Sequence, residues 1–275
     1  RFTEDYLRLM RAVRFTVRLG FAIDDQTRQA IEKYAPEIST ISGERICDEL
    51  SKMLSEANAP LALETLQEVA LAPVILSELF ESENRWPRSV ERARSVADRC
   101  DLILTLAAVL CELTPDEISG IIKRWGASND LKKALCWLAE NMDKWRQAAD
   151  IPLCDFKRLL AVKHFHRLVD LWRFEELSAD GHHELCDRIA MRAEAIPPDK
   201  IAPAPLVTGA DLIKLGLRES PQLGSIASSL YNSQLNEEFE TRQQAMIEAE
   251  MTTAVELAVP LKVDVGIGSN WMDAK

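Results

Sequence analysis

Apolar residues recur with a period near 3.6 from Leu7 to about Gln244, and this pattern restricts the chain to helices packed on helices. The first helix is predicted from Thr3, a candidate N-cap, to Gly20, where a glycine suits a helix end. Asp24 or Asp25 caps the next, which Pro36 breaks. Ser42 caps a third, GERICDELSKMLSEA, running to about Ala57. Asn58 and Pro60 end it, and LALETLQEV opens a fourth. A short helix from Pro73 ends near Glu81, and the polar, proline-containing Ser82–Arg88 predicts a linker. Helices are then expected at 89–113, 116–125, about 130–148, 153–175 and 182–194. The proline-rich Ile196–Pro205 predicts an extended connection with no helix. Short helices follow at 206–216 and about 221–231, and a last one starts at Thr241. Around Lys262–Val265 the alternation changes to a period of two, closed by Gly266 and Gly268, which predicts a short strand.

Composition narrows the function. Hydrophobic residues make up 47% of the 275 and charged residues 28%, as expected of a folded, soluble chain. No apolar run approaches the roughly 18 to 20 residues that span a membrane. The opening is charged and amphipathic, unlike a secretory leader, and lacks an initiator Met, which reads as a fragment or a processed product. Six cysteines without a C-x-x-C pair read as reduced thiols in a cytoplasmic protein. A net charge of −11 argues against a generally basic nucleic-acid binder. It leaves room for a local one, because residues 1–20 hold five arginines against two acids.

That opening segment, RFTEDYLRLMRAVRFTVRLG, concentrates the candidate chemistry. Asp5, Arg8, Arg11 and Arg14 are spaced three apart, so each neighbours the next on a helix surface. Glu4 and Asp5 precede the arginine run, where carboxylates favour the positive end of the helix dipole. His164 and His166 are two apart and point to different faces, so no metal site is expected from histidines. No Gly-rich phosphate cradle and no Asp-x-Asp pair occur. Gly216 to Gly224, with Ser225, forms a turn leading into a helix N-terminus, where backbone N–H groups are able to hold a phosphate.

RFTEDYLRLMRAVRF closely resembles the nucleotide-selecting motif of bacterial-type (class II) tRNA CCA-adding nucleotidyltransferases and their poly(A) polymerase relatives. Gly20-Phe-Ala-Ile-Asp, Gly43-Glu-Arg-Ile-Cys-Asp-Glu-Leu50 and the late segment LVTGADLIKLGLRESPQLGSIASSLYNSQLNEEFETRQQA continue the resemblance. It implies an all-α, elongated neck–body–tail assembly. The neck is expected at 1–70, a helical body at 71–195, a tRNA-binding tail at 196–249 and a β-like appendage at 250–275. The last 26 residues, EMTTAVELAVPLKVDVGIGSNWMDAK, resemble the C-terminus of family A DNA polymerases.

The resemblance also assigns roles. Asp5 and Arg8 match the family's base-reading acid and arginine, with Glu4, Arg11 and Arg14 beside them. Glu44 and Arg45 would brace the neck helix, and Gly216, Gly224 and Ser225 would contact tRNA phosphate. The implied partners are tRNA, CTP and ATP, with neither a membrane nor DNA. The implied cofactor is magnesium, held by a catalytic head whose motifs are absent here. The chain alone is therefore expected to add no nucleotide, and a stand-alone RNA-binding module or a poly(A) polymerase portion is the alternative.

Overall fold

The computed structural model describes residues 2–253, and within them every regular element is a helix. The predicted strand near Lys262–Val265 lies outside the described residues. The α-helices in chain order are α1 (Leu7–Leu19), α2 (Asp25–Tyr34), α3 (Gly43–Leu54), α4 (Ala59–Glu68), α5 (Ala72–Ile75) and α6 (Arg85–Ser95). There follow α7 (Leu102–Leu110), α8 (Pro115–Arg124), α9 (Asn129–Asn141), α10 (Trp145–Ala148), α11 (Leu153–Leu160) and α12 (Phe165–Asp180). The last are α13 (Glu184–Glu194), α14 (Pro198–Ile201), α15 (Gly209–Lys214), α16 (Pro221–Leu235) and α17 (Arg242–Thr253).

Local chemistry sets many of these ends. The Asp24 side chain accepts the Thr27 N–H at 3.0 Å and starts α2. Thr114 and Glu117 form a reciprocal capping box at α8. Gly20 and Gly181 end α1 and α12 in left-handed conformation. Four expectations are corrected. Thr3 does not cap the first helix; a 3-10 turn, Phe2–Glu4, comes first and α1 begins at Leu7. Ser82–Arg88 is not a linker. Trp86 is buried against Phe80 and donates its indole N–H to Gln67, and Pro87 fits the first turn of α6, where its missing N–H costs nothing. The expected helices at 89–113 and 153–175 each split. Cys100 turns left-handed at φ 50° and Asp101 caps a new helix, while residues 161–164 separate α11 from α12. The proline-rich connection contains one helical turn, α14, with Pro198 at its first position.

The chain divides into two compact units. One runs to Ala149 and includes His164–Ala190; the other holds Asp150–Lys163 and the chain from Met191. In the first, α7 is apolar on every side, so it must be surrounded. It packs against α3, α6, α9 and α12, and its residues Leu104 to Leu110 are all buried. α1 lays Leu9, Met10 and Val13 on α3 and α4. Trp172 of α12 is fully buried and donates its indole N–H to the Asn141 carbonyl at 3.0 Å. In the second unit, Val207, Leu212, Leu230, Phe239, Ala245 and Ala249 form the core that joins α15, α16 and α17. Buried Lys157 of α11 is paired there with Glu237 at 2.9 Å.

The start of α3 touches the end of α8 with no room for a side chain. A Cβ built on Gly43 would stand 1.9 Å from the Arg124 carbonyl oxygen and 2.8 Å from Trp125 Cα. Both obstacles are backbone, so neither yields by a rotamer change. Gly43→Ala is expected to destabilise the chain by about 3 kcal/mol, the upper end of overpacking costs. The check is a thermal or urea unfolding curve beside Ser42→Ala, whose hydroxyl makes no capping bond and whose loss should leave the curve nearly unchanged.

Candidate nucleotide-selecting site

The N-terminus of α1 has no side-chain cap from Tyr6, the residue at that position. Asp5 supplies the missing acceptor: its Oδ1 takes the Leu7 N–H at 3.1 Å. Its Oδ2 accepts from the Arg45 guanidinium, on α3, at 2.9 Å. Burial raises the Asp5 pKa. The Leu7 N–H, the Arg45 hydrogen bond and the charges of Arg45 and Arg11 outweigh that, so the carboxyl ends below its ordinary value. One position earlier, Glu4 pairs with Arg8 at 2.5 Å, and the Arg8 hydrogen bond and charge hold its pKa down as well. Phe2, Glu4, Arg8 and Thr27 line a cleft of about 630 Å³ beside this turn.

The rest of the arginine stripe is held from α3. The Glu49 side chain is 2% exposed and accepts from Arg14 at 2.8 Å and from Arg11 at 3.4 Å, with Lys52 at 3.4 Å. Arg14 also lies over the Phe15 ring, 4.4 Å from its centroid. Sequence reasoning did not single out Glu49. The signal was present: Glu49 falls three after Ile46 and four before Met53, on the apolar face of its helix. An acid on such a face needs a cation opposite.

The other expected residues are placed separately. Arg45 reaches α1 through Asp5, whereas Glu44 is exposed and lies over Gly126, in the turn after α8. Gly216 is left-handed at φ 98° after α15, Gly224 has open space where a Cβ would be, and the Ser225 hydroxyl donates to the Pro221 carbonyl at 3.3 Å. These three belong to the second unit and the Asp5 group to the first. Among the described residues no cluster of three or more His, Cys, Asp or Glu side chains is arranged to hold a metal ion. Cys100 is exposed, unlike buried Cys154 and Cys186, and all six cysteines are free.

Residues 20–82 match a family model described as the probable RNA and SrmB-binding site of polymerase A. A CCA-adding enzyme of Pediococcus pentosaceus is 26% identical over 90% of this chain and 60% of its own length. A CCA-adding enzyme of Geobacillus stearothermophilus is 49% identical over a shorter stretch, 26% of this chain and 18% of its own length. A solved CCA-adding enzyme in complex with CTP shares the fold at TM-score 0.60 and 15% identity, over 92% of this chain and 61% of that one. The Thermotoga maritima CCA-adding enzyme complexed with tRNA does so at TM-score 0.57 and 14% identity, over 90% and 61%. The chain thus spans about 60% of the length of the CCA-adding enzymes it matches. The all-α architecture read from the sequence agrees with these folds. The DNA polymerase resemblance of the last 26 residues gains no support from the matches reported.

The geometry fixes a pH response. A carboxyl whose folded pKa is depressed contributes stability that is fully present above its unfolded value and is lost as pH falls through the folded one. Asp5 is expected to titrate below the ordinary aspartate range, and Arg45→Ala is expected to move it upward. Carbon-detected NMR titration of the Asp5 carboxyl in both proteins checks this.

Proposed function

We propose that this chain is the base-selecting and tRNA-binding portion of a CCA-adding nucleotidyltransferase, and that Asp5 and Arg8 read the incoming base. The observation that carries the reading is the pair of oppositely charged groups at the α1 N-terminus, the acid kept ionised and the arginine facing a cleft. A carboxylate only accepts hydrogen bonds and a guanidinium only donates them. Cytosine and adenine each present an amino donor beside a ring-nitrogen acceptor, which matches this pair. Uracil and guanine present the reverse and leave both groups unsatisfied.

Capacity remains for a base. An ionised carboxylate has about four acceptor sites, of which Leu7 and Arg45 take two. The Arg8 guanidinium, which only donates, has the exposed Glu4 carboxylate as a partner. The Asp5 template sits in the neck assigned to 1–70; the helical body at 71–195 and the tail at 196–249 would hold tRNA, mainly by shape and phosphate contacts. In the tail, exposed Lys214 and Arg218 flank the turn that leads to Gly224 and Ser225, a suitable place for a phosphate. Magnesium belongs to the nucleotidyl transfer of the whole enzyme, and no step through it is derived from these residues. A tRNA-processing role fits the cytoplasm. Among the described residues no helix is long and apolar enough to cross a membrane.

A stand-alone RNA-binding module is the second reading, favoured by the description attached to residues 20–82. Binding measurements separate the two. The first reading expects the chain to prefer CTP and ATP to UTP and GTP in equilibrium dialysis with tRNA present. Asp5→Ala is expected to remove that preference, a loss of about 10- to 100-fold for one hydrogen bond to a charged group. A preference that survives Asp5→Ala, in a variant with unchanged circular dichroism, sinks the template. Binding of tRNA without nucleotide preference supports the second reading.

A further inference from the structure

The cleft beside Asp5 has an aromatic wall that recognition of a base edge does not use. Phe2 and Glu4 from the 3-10 turn, Arg8 of α1 and Thr27 of α2 line it. Its volume of about 630 Å³ falls within the range of small-molecule sites, ~300–1,000 Å³. Phe2 is half-buried and is the aromatic member of this set. Tyr6, the next aromatic along the chain, is turned to Tyr34, with ring centroids 6.1 Å apart. The Phe2 backbone is tied to Asp5. The Asp5 N–H donates to the Phe2 carbonyl at 3.2 Å and closes the turn, and the Arg8 N–H donates to the Asp5 carbonyl at 3.1 Å. One short run of backbone hydrogen bonds therefore places both the aromatic wall and the carboxylate.

The charges around the cleft decide which part of a nucleotide suits it. A helix N-terminus ordinarily invites a phosphate, and α2 begins here. Asp24 already occupies that end. Its carboxylate accepts the Thr27 N–H at 3.0 Å, and hydrogen bonds from the Thr27 hydroxyl and N–H hold its pKa below the ordinary value. Glu4 is paired with Arg8 in the same lining. With Glu4 beside Arg8 and Asp24 beside Thr27, the lining offers a phosphate no uncompensated cation. A neutral, planar base meets no such obstacle. Its faces need an apolar partner and its edge polar ones, and the cleft carries both.

We propose that Phe2 is the stacking wall of this site, its ring lying against the face of a bound nucleobase while polar groups meet the edge. The proposal rests on the reading of the cleft as a base site, and not on which residues read the edge. Stacking is indifferent to base identity, because every base has a π-face. Phe2 therefore supplies affinity where Asp5 supplies preference, and binding data separate the two roles.

The test is binding of CTP, ATP and UTP to the full chain with tRNA present, by equilibrium dialysis. The proteins compared are the unmutated chain, Phe2→Ala, Phe2→Leu and Phe2→Tyr. Phe2→Ala is expected to weaken all three nucleotides by a similar factor, about 5- to 100-fold, with the order of preference unchanged. Phe2→Leu, apolar but without a π-face, is expected to share the loss, and Phe2→Tyr to bind nearly as the unmutated chain does. If Phe2→Ala binds as tightly as the unmutated chain, or Phe2→Leu as tightly as Phe2→Tyr, the stacking role is overturned. A uniform loss in a chain that shows no preference keeps the wall and overturns the Asp5–Arg8 reading alone. Absence of nucleotide binding to the unmutated chain overturns both. NMR of the unmutated chain tests the wall without depending on how the variants fold, the Phe2 ring resonances being assigned by their absence from Phe2→Leu. Adenosine is expected to move them upfield and inorganic triphosphate to leave them in place; any other pattern overturns the proposal.

Discussion

A buried carboxylate on α3, Glu49, is the interaction on which the N-terminal arrangement depends. A charge removed from water is costly, and only close cations repay it. Glu49 has Arg11, Arg14 and Lys52 within 3.4 Å, two of them from α1. Breaking such a pair by removing one partner typically costs 3–5 kcal/mol, against about 0–1 kcal/mol for an exposed ion pair such as Arg18–Glu56. The clamp therefore adds a charged contact to the apolar stripe, Leu9, Met10 and Val13, that packs α1 on α3 and α4. α3 is fixed in turn by the contact of Gly43 with the end of α8. Asp5 is thus connected, through Arg45 on α3, to the middle of the first unit.

The same economy of charge governs α6. Its sequence, RWPRSVERARS, looks like a basic surface, yet Arg85, Arg88, Arg92 and Arg94 are all paired with acids from other elements. Arg92 is 2% exposed and bridges Glu112 and Glu175. These arginines fasten α6 to α4, α7, α8 and α12. A net charge of −11 and a local capacity for phosphate are then compatible: acids neutralise the structural arginines, and exposed cations such as Lys214 and Arg218 stand elsewhere.

Much of this was legible in the residues, and the failures have physical causes. Periodicity located the helices because most bury one stripe, and Asp24 was a readable start because its side chain accepts an orphan N–H group. The break at Cys100 was not readable, since a left-handed cysteine has no sequence signature of the kind a glycine has. Ser82–Arg88 misled because proline and polar residues suit a helix start as well as a linker. At the site, the triplet spacing singled out Asp5 and the arginines, but not which of them α3 holds. That depended on Glu49, brought in from 35 residues beyond Arg14 by the packing of α3 on α1.

The central claim is that base identity is read by Asp5 and Arg8 on a helix whose other arginines are held elsewhere. A structure of the chain with CTP bound tests it most directly. The account predicts the cytosine amino group donating to the Asp5 carboxylate and Arg8 donating to the ring nitrogen, each at about 2.9 Å, with Arg11 and Arg14 still on Glu49. Cytosine bound away from Asp5 and Arg8, or seated on Arg11 or Arg14 released from Glu49, would contradict it.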